Sequence, residues 1–299
     1  MEQQTRAYLF ASATILFWST VASAFKLTLG YISSEELLFY STFFSLLILG
    51  AIVVASGRLG ELRRWPAVEF FRSALLGFLN PFLYYLVVFK AYSLLPAQEA
   101  LTLNFIWPIV LVLFSIVILR QRITVKTLLA MVISFSGALV ISTRGDVLGF
   151  RVTHPLGAGL ALGSSAVWAL YWVYGAKDTQ DAISRLCVNF IFGFVFVALY
   201  MTIFSSPRLV GPEGLFGSLY VGAFEMGITY VVWLYALRLS QTTAQVSNLI
   251  YLTPFLSLIV VHFTVGEQIF GSTVAGLILI VGGIMLQHYG RRRTVLARG

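Results

Sequence analysis

Residues 109–119 read IVLVLFSIVIL, a run in which only Ser115 is not strongly apolar. The run does not alternate between apolar and polar positions, as a strand of a membrane β-barrel does. Within lipid such a stretch must be helical, because the bilayer core offers the backbone no hydrogen-bond partners. Residues 109–119 therefore predict part of a membrane-spanning helix, and similar runs recur along the chain.

The composition of the whole chain supports this interpretation. Of its 299 residues, 59% are hydrophobic and 11% are charged, and the mean hydropathy is +0.88. A soluble domain carries about 25% charged residues to cover its surface. We predict an all-α integral membrane protein with ten transmembrane helices: Ala7–Leu29, Glu36–Ser56, Phe70–Tyr92, Ala97–Leu119, Thr124–Thr143, Pro155–Ala176, Ile183–Ser205, Leu215–Leu237, Thr243–Thr264 and Phe270–His288.

The first span has a second interpretation. Arg6, the apolar run and Ala22-Ser23-Ala24 resemble a secretory signal peptide with its cleavage site. The run is longer than the apolar core of a usual signal peptide, and its removal would leave an odd number of spans. We therefore expect Ala7–Leu29 to be a transmembrane helix.

The charges in the loops predict the orientation. With the N-terminus in the cytoplasm, 15 basic residues lie inside and three lie outside, which is a strong positive-inside bias. Both termini are therefore predicted to be cytoplasmic, and the net charge of +8 does not indicate nucleic-acid binding. The inside group is Arg6, Arg58, Arg63, Arg64, Arg72, Arg120, Arg122, Lys126, Lys177, Arg185, Arg238, Arg291, Arg292, Arg293 and Arg298; the outside group is Arg144, Arg151 and Arg208.

The chain also repeats itself. Three residue pairs recur at a spacing of 146 and one pair recurs at 150: Pro108 and Pro254, Tyr84 and Tyr230, Gly137 and Gly283, and Trp18 and Trp168. The predicted halves, residues 1–146 and 147–299, contain five spans each. Because five is odd, the second half enters the membrane in the opposite sense. Such inverted repeats are typical of secondary transporters that bind their substrate near the bilayer midplane.

Glu225 is the least expected residue within a span. A carboxylate at the middle of a helix costs several kcal/mol by insertion scales, roughly 2.5–3.5 for Asp, unless it is protonated, paired or hydrated. It is therefore a candidate for the substrate pathway or for a proton site, and a structural hydrogen bond to a neighbouring helix is the alternative. Lys26 and Lys90 lie near the outer ends of spans one and three. They either extend to the interface or face Glu35, Glu36 or Glu99 in a vestibule.

Two prolines and a group of aromatic and amide residues complete the candidates. Pro108 and Pro254 each remove a helical hydrogen bond in mid-span and predict a bend or gate. Aromatic rings suit an apolar or aromatic substrate, and amides suit its polar end; the alternative role of each is bundle packing. Gly159 and Gly163 form a GxxxG pair that predicts close helix packing. The remaining pathway candidates are Trp18, Asn80, Tyr84, Asn104, Trp107, Trp168, Tyr171 and Tyr251.

Several motifs are absent from the sequence. His154, His262 and His288 are too scattered for a zinc-protease motif, and no phosphate-binding loop of the ATPase type occurs. The single cysteine, Cys187, excludes an internal disulfide and a cysteine-based metal cage. No catalytic set of side chains can be assembled. We therefore predict a protein that is not an enzyme, needs no cofactor or metal, and is driven by a gradient.

The two five-span halves, with Trp18 and Trp168 in spans one and six and Pro108 and Pro254 in spans four and nine, resemble the EamA-type repeats of the drug/metabolite transporter superfamily. Within it the chain is similar to aromatic amino acid exporters. This resemblance implies a ten-helix bundle around a central cavity, and export of amino acids across the bacterial inner membrane. The cavity would be lined by Trp18, Asn80, Tyr84, Asn104, Trp107, Trp168, Glu225 and Tyr251.

Other interpretations remain open from the sequence. A carrier of drugs, metabolites or phosphorylated sugars would belong to the same superfamily, but phosphate binding favours several converging Arg or Lys residues. An intramembrane enzyme needs paired catalytic groups, and a scaffold subunit needs neither Glu225 nor the two prolines. Transport is either coupled to protons or simply downhill. Because both halves lie in one chain, we expect a monomer.

Overall fold

The computed structural model describes residues 2–119, 125–148, 154–175, 178, 180–205, 209–240 and 248–296, without the side chains of Val112, Ser115, Ile116, Leu119, Thr127, Ser142, Asn248, Tyr251 and 287–296. These residues form helices and connections, and no strand occurs among them. The helices are α1 (Glu2–Thr28), α2 (Ser34–Ala55), α3 (Leu59–Leu62), α4 (Ala67–Gly77), α5 (Tyr84–Leu94), α6 (Ala97–Asn104), α7 (Trp107–Leu119), α8 (Val125–Ser142), α9 (Pro155–Gly175), α10 (Ala182–Phe204), α11 (Pro212–Val221), α12 (Ile228–Leu239), α13 (Thr253–Val265) and α14 (Gly271–Leu296).

Six helical stretches are long and apolar enough to cross a membrane, and three shorter apolar helices accompany them among the described residues. Large apolar side chains such as Phe263 and Phe216 lie exposed on the outside of the bundle, whereas Ser134 and Ser164 are fully buried inside it. A soluble protein has the opposite distribution of apolar and polar side chains. The chain is therefore an all-helical, multi-pass membrane protein.

The two halves of the chain are interleaved. The first helix, α1, packs against α11, α12 and α13, which all come from the second half. The first helix of that half, α9, packs in turn against α5, α6 and α7 from the first half. Because the packing is reciprocal, the middle of the bundle is built by both halves.

Spans four and nine are discontinuous at the predicted prolines. α6 ends at Asn104 and α7 begins at Trp107, while a 3₁₀ turn over Asn248–Leu252 precedes α13. Pro108 and Pro254 are each the second residue of the helix that follows the break. A proline in a first helical turn loses no hydrogen bond, since the amide there has no helical partner. The prolines thus begin a new helical segment.

Spans three and eight contain two further breaks that the sequence analysis missed. Wide π-type turns occupy Phe78–Leu83 between α4 and α5, and Gly222–Gly227 between α11 and α12. They begin 144 residues apart, so they lie at matching positions of the two halves. Asn80 leaves the helical conformation altogether, with φ −146° and ψ 119°. Four central spans are therefore bent near their middles.

Helices α8 and α14, the last of each half, pack together through glycines. A Cβ at Gly137 would collide with the carbonyl oxygen of Gly276, and one at Gly283 would collide with that of Ala130. Gly283 follows Gly137 by 146 residues, and Gly276 follows Ala130 by the same number. The contact is therefore reciprocal, as around a two-fold axis.

The GxxxG prediction for Gly159 and Gly163 was wrong. A Cβ at either position would meet no atom within 4 Å, because this face of α9 is not packed against a neighbouring helix. The close glycine contacts are on α8 and α14 instead.

Ion pairs mark one end of the bundle. Arg185, at the start of α10, is buried and pairs with Glu69 and Asp178, and it also donates to the hydroxyl of Ser73 over 2.8 Å. Asp181 accepts a hydrogen bond of 2.8 Å from Arg238, at the end of α12. All the basic residues of this network belong to the group predicted to be cytoplasmic.

Different contacts join the other end. Arg144 donates to the carboxylate of Glu99 over 2.7 Å, and its guanidinium lies 4.9 Å from the centre of the Phe270 ring. Glu267 accepts hydrogen bonds from the backbone amides of Ala97 (2.8 Å) and Gln98 (3.3 Å), at the start of α6. The loop before α14 is thereby attached to α6.

Substitution tests the glycine contact. Replacing Gly276 by Ala should lower the free energy of unfolding by about 1–3 kcal/mol, because the new methyl group overlaps the backbone of α8. The control is Gly159→Ala, which adds the same methyl group in open space and should be neutral or stabilising by about 0.5–1 kcal/mol. Thermal unfolding in detergent measures both variants. Equal stability of the two would contradict the close packing of α8 and α14.

Candidate substrate-binding site

Glu225 lies in the π-type turn of span eight and faces the inside of the bundle. Its carboxylate accepts a hydrogen bond of 3.1 Å from the hydroxyl of Tyr85 on α5, and this hydroxyl is 3.5 Å from that of Tyr230. The indole of Trp18 on α1 donates to the backbone carbonyl of Glu225 over 3.5 Å. Glu225 takes part in none of the ion pairs of the described residues. It is a carboxylate among aromatic hydroxyl groups, in a site built by both halves.

Two glycines allow the backbone of Glu225 to take this position. A Cβ at Gly222 would collide with the carbonyl oxygen of Ser41 on α2, so only glycine permits α11 to approach so closely. Gly227 ends the turn with φ −104° and ψ −93°, and a Cβ there would collide with the carbonyl oxygen of Gly222. The two glycines thus permit the wide turn at the residue that carries the carboxyl group.

Trp168 on α9 is the centre of a cluster of aromatic rings. Its ring lies 4.7 Å from that of Tyr84 and 5.8 Å from that of Tyr171, which is nearly parallel to it at 25°. The ring of Trp107 meets it edge-on at 6.5 Å, and that of Tyr230 is 5.9 Å away. Such rings can pack against an aromatic or apolar group. Four of the predicted residues therefore meet at one place.

Asn104 connects this cluster to its polar neighbours. At the end of α6, its amide oxygen accepts a hydrogen bond of 3.3 Å from the hydroxyl of Tyr84. Its amide nitrogen donates to the hydroxyl of Ser164 on α9 over 2.8 Å. Asn104 therefore bonds to spans three and six at once, at the break that precedes Trp107.

Other predicted residues lie elsewhere or outside the described part of the chain. Lys26 donates to the backbone carbonyls of Tyr92 (3.0 Å) and Leu95 (2.7 Å), beside an open pocket of about 360 Å³ that is also lined by Glu267. Lys26 thus faces backbone oxygens instead of the acids that the sequence analysis named for it. Lys90 is exposed on α5. The side chain of Tyr251 lies outside the described residues.

Tyr85 is a residue of the site that the sequence analysis missed. It is fully buried and donates to the carboxylate of Glu225. The signal for it was present, since it is adjacent to the candidate Tyr84. Ser164, the partner of Asn104, was not among the predicted residues of the site.

The arrangement suits binding rather than catalysis. The site offers one carboxylate, several aromatic rings and neutral hydrogen-bonding groups. Among the described residues, no group of three or more His, Cys, Asp and Glu side chains is placed to hold a metal ion. The side-chain hydrogen bond described for the Glu225 carboxylate comes from the hydroxyl of Tyr85, and none of the described ion pairs involves Glu225.

Comparison with known proteins gives consistent results. The EamA-like transporter family matches residues 5–143 and 155–287. The chain is 28% identical to the uncharacterized transporter YvbV of Bacillus subtilis, over 95% of this chain and 92% of that protein. It is 26% identical to the aromatic amino acid exporter YddG of Ancylobacter novellus, over 97% and 99%.

A solved crystal structure has the same fold. It is 22% identical to this chain, with a TM-score of 0.64, over 97% of this chain and 99% of the other. The matched family covers both halves of the sequence, each with one EamA repeat. The chain therefore belongs to the EamA-like transporter family of the drug/metabolite transporter superfamily, and it is a secondary transporter of small molecules and not an enzyme.

Proposed function

We propose that the protein exports amino acids, aromatic ones among them, across the bacterial inner membrane by alternating access. The observation that carries this proposal is the aromatic cluster around Trp168 beside the half-buried carboxylate of Glu225. The rings would hold an aromatic or apolar side chain, and the carboxylate and amides would serve the polar end. Relatives that are named aromatic amino acid exporters support the same substrate class.

The proposed topology has ten crossings in two inverted halves, residues 1–146 and 147–299, with both termini in the cytoplasm. Six described helical stretches that are long and apolar enough to cross a membrane, with three shorter apolar helices, support this topology. Arg58, Arg185 and Arg238, predicted to be inside, each form ion pairs at one end of the bundle. Arg144, predicted to be outside, pairs with Glu99 at the other end. Both halves lie in one chain, so a monomer suffices.

The breaks in spans three, four, eight and nine support a hinge mechanism. A helix that is already interrupted can change its direction without losing further hydrogen bonds in lipid. Pro108 and Pro254 would keep the two breaks of spans four and nine in place. Movement at the four breaks would open the site to one side of the membrane and close it to the other.

Glu225 has two possible tasks within this mechanism. It either pairs with the ammonium group of the substrate or carries a proton whose movement is coupled to transport. Both tasks need an acid that is reached from the site, and the hydrogen bond from Tyr85 keeps the carboxylate oriented towards it.

A carrier of phosphorylated sugars is the second candidate, and the site favours it less. Phosphate groups are bound by converging Arg and Lys side chains. The described contacts of Glu225 and Trp168 involve no basic side chain. Lys26, the candidate base on α1, is bonded to backbone carbonyls at the end of the bundle.

A transport assay tests the substrate class. Proteoliposomes containing the purified protein should take up labelled phenylalanine and tryptophan faster than empty liposomes. Excess unlabelled amino acid should compete, and glucose 6-phosphate should not. The panel should include small amino acids and should be run with and without a pH gradient. Flux equal to that of empty liposomes for every amino acid would contradict the proposal.

Neutralising the acid tests its role. Glu225→Gln keeps the size of the side chain but cannot ionise, so flux should fall by about tenfold or more, as expected for the loss of a charged hydrogen bond. If Glu225 carries a proton, the residual flux should no longer respond to a pH gradient. Glu213→Gln is the matched control, since Glu213 is exposed at the start of the same span. Unchanged flux in Glu225→Gln would remove Glu225 from the mechanism.

Cysteine labelling tests the topology. In a Cys187→Ala background, Leu148→Cys should react with an impermeant maleimide from outside the cell, because Leu148 is fully exposed in a loop that is predicted to be external. Gly60→Cys, in the exposed short helix α3 of the connection that is predicted to be cytoplasmic, should react only after permeabilisation. The reverse pattern would contradict the assigned orientation.

A further inference from the structure

Several buried polar side-chain atoms of the described residues have no hydrogen-bond partner, and four of these atoms belong to residues around Tyr171. They are the amide nitrogen and oxygen of Asn80, the amide oxygen of Asn189 and the indole nitrogen of Trp172. Asn80 is fully buried and Asn189 is 1% exposed. Folded proteins leave few such groups unpaired, because desolvation without a compensating hydrogen bond is unfavourable. These atoms therefore require an explanation.

The four atoms belong to one cluster around Tyr171. The amide nitrogen of Asn189 is 3.5 Å from the hydroxyl of Tyr171, and the Asn80 amide lies beside that hydroxyl. The ring of Trp172 is 5.9 Å from that of Tyr171 and 5.8 Å from that of Trp168. The cluster thus adjoins the aromatic rings of the proposed site, towards the C-terminal end of α9.

The fold holds the cluster rigidly. A Cβ at Gly77 would collide with the carbonyl oxygen of Asn189, and one at Gly193 would collide with the ring of Pro81. The backbone on both sides of Asn80 is therefore held close to α10. Arg185, one turn before Asn189, is already paired with Glu69 and Asp178.

The unpaired atoms match one chemical group. Two of them are donors, the amide nitrogen of Asn80 and the indole nitrogen of Trp172, and two are acceptors, the amide oxygens of Asn80 and Asn189. A zwitterionic amino acid head group presents a carboxylate that needs donors and an ammonium that needs acceptors. It also carries no net charge, as suits a cluster that is made of neutral side chains.

We propose that Asn80, Trp172 and Asn189 bind the head group of an amino acid substrate. The carboxylate accepts from Asn80 and Trp172, and the ammonium donates to the amide oxygens of Asn80 and Asn189. The side chain of the substrate then lies against Trp168. This inference rests on the proposed function and deepens it, because it assigns the head group to amides and leaves Glu225 free to carry a proton.

Two variants separate the two ends of the head group. Trp172→Phe removes the indole donor and keeps a ring, so phenylalanine should bind about tenfold more weakly, whereas phenylalaninol, which lacks the carboxylate, should change by less than about twofold. Asn189→Leu removes the amide acceptor, so it should weaken the binding of phenylalanine and of phenylalaninol alike. The binding of 3-phenylpropionate, which lacks the ammonium group, should not change. Binding is measured by displacement of labelled phenylalanine from purified protein in detergent.

Thermal unfolding distinguishes a ligand site from a structural role. Asn189→Leu removes an unpaired buried amide oxygen together with the long contact of the amide nitrogen to Tyr171, so its melting temperature without ligand should stay within about 3 °C of the wild type while the binding of phenylalanine falls. If Asn189→Leu does not fold, Asn189→Ala replaces it. Trp233→Phe is the control, because Trp233 is a buried indole on α12 outside the cluster, and it should leave the affinity for phenylalanine within about twofold of the wild type.

The outcomes separate this inference from the function on which it rests. The wild type could bind phenylalanine while Trp172→Phe and Asn189→Leu bind it with the same affinity. This result would overturn the head-group site but would not contradict the proposed export of amino acids. No binding of any amino acid by the wild type would overturn both. If Trp172→Phe weakens the binding only of ligands with a carboxylate, and Asn189→Leu only of ligands with an ammonium group, both proposals are supported.

Discussion

The constraint on which the whole structure depends is that lipid cannot hydrogen-bond to a backbone. Any residue that leaves the helical conformation must therefore be shielded by protein or face a polar cavity. The breaks at Phe78–Leu83, at Phe105 and Ile106, and at Gly222–Gly227 all carry or border residues of the candidate site. Irregular backbone and polar side chains therefore occur together, because both need to be surrounded by protein or by a polar cavity. The aromatic rings around Trp168 and the hydroxyl of Tyr85 occupy the space that these breaks create.

The internal repeat accounts for the arrangement of the helices but not for the carboxylate of the candidate site. Matching bends, matching prolines and the glycine contact of α8 with α14 follow the repeat closely. The hydroxyl of Ser134 even donates to the carbonyl of Ile280, which lies 146 residues later. Glu225 does not follow the repeat, since the equivalent position in the first half is Leu79. Because the acid occurs in only one half, the two sides of a bound substrate would meet different chemical groups.

Much of the fold could be predicted from the sequence, because apolar runs and loop charges are local signals. The helices lie where hydropathy placed them, and Pro108 and Pro254 indicated two of the four breaks. The bends at Asn80 and Gly222 were missed, because they depend on how closely α10 and α2 approach. The same limit applies to the site. Glu225, Trp168 and Asn104 stood out by residue type, whereas Tyr85 and Asn189 gain their importance only from neighbours that are distant in sequence.

The reciprocal contact of α8 and α14 has a consequence for symmetry. Two surfaces that meet as equals across a two-fold axis have the geometry of a homodimer interface. In a homodimer of half-length chains every substitution would appear twice, so an acid near the axis would face its own duplicate and be repelled by it. Here both halves lie in one chain, so the carboxylate at position 225 can have an apolar residue, Leu79, at the equivalent position of the other half.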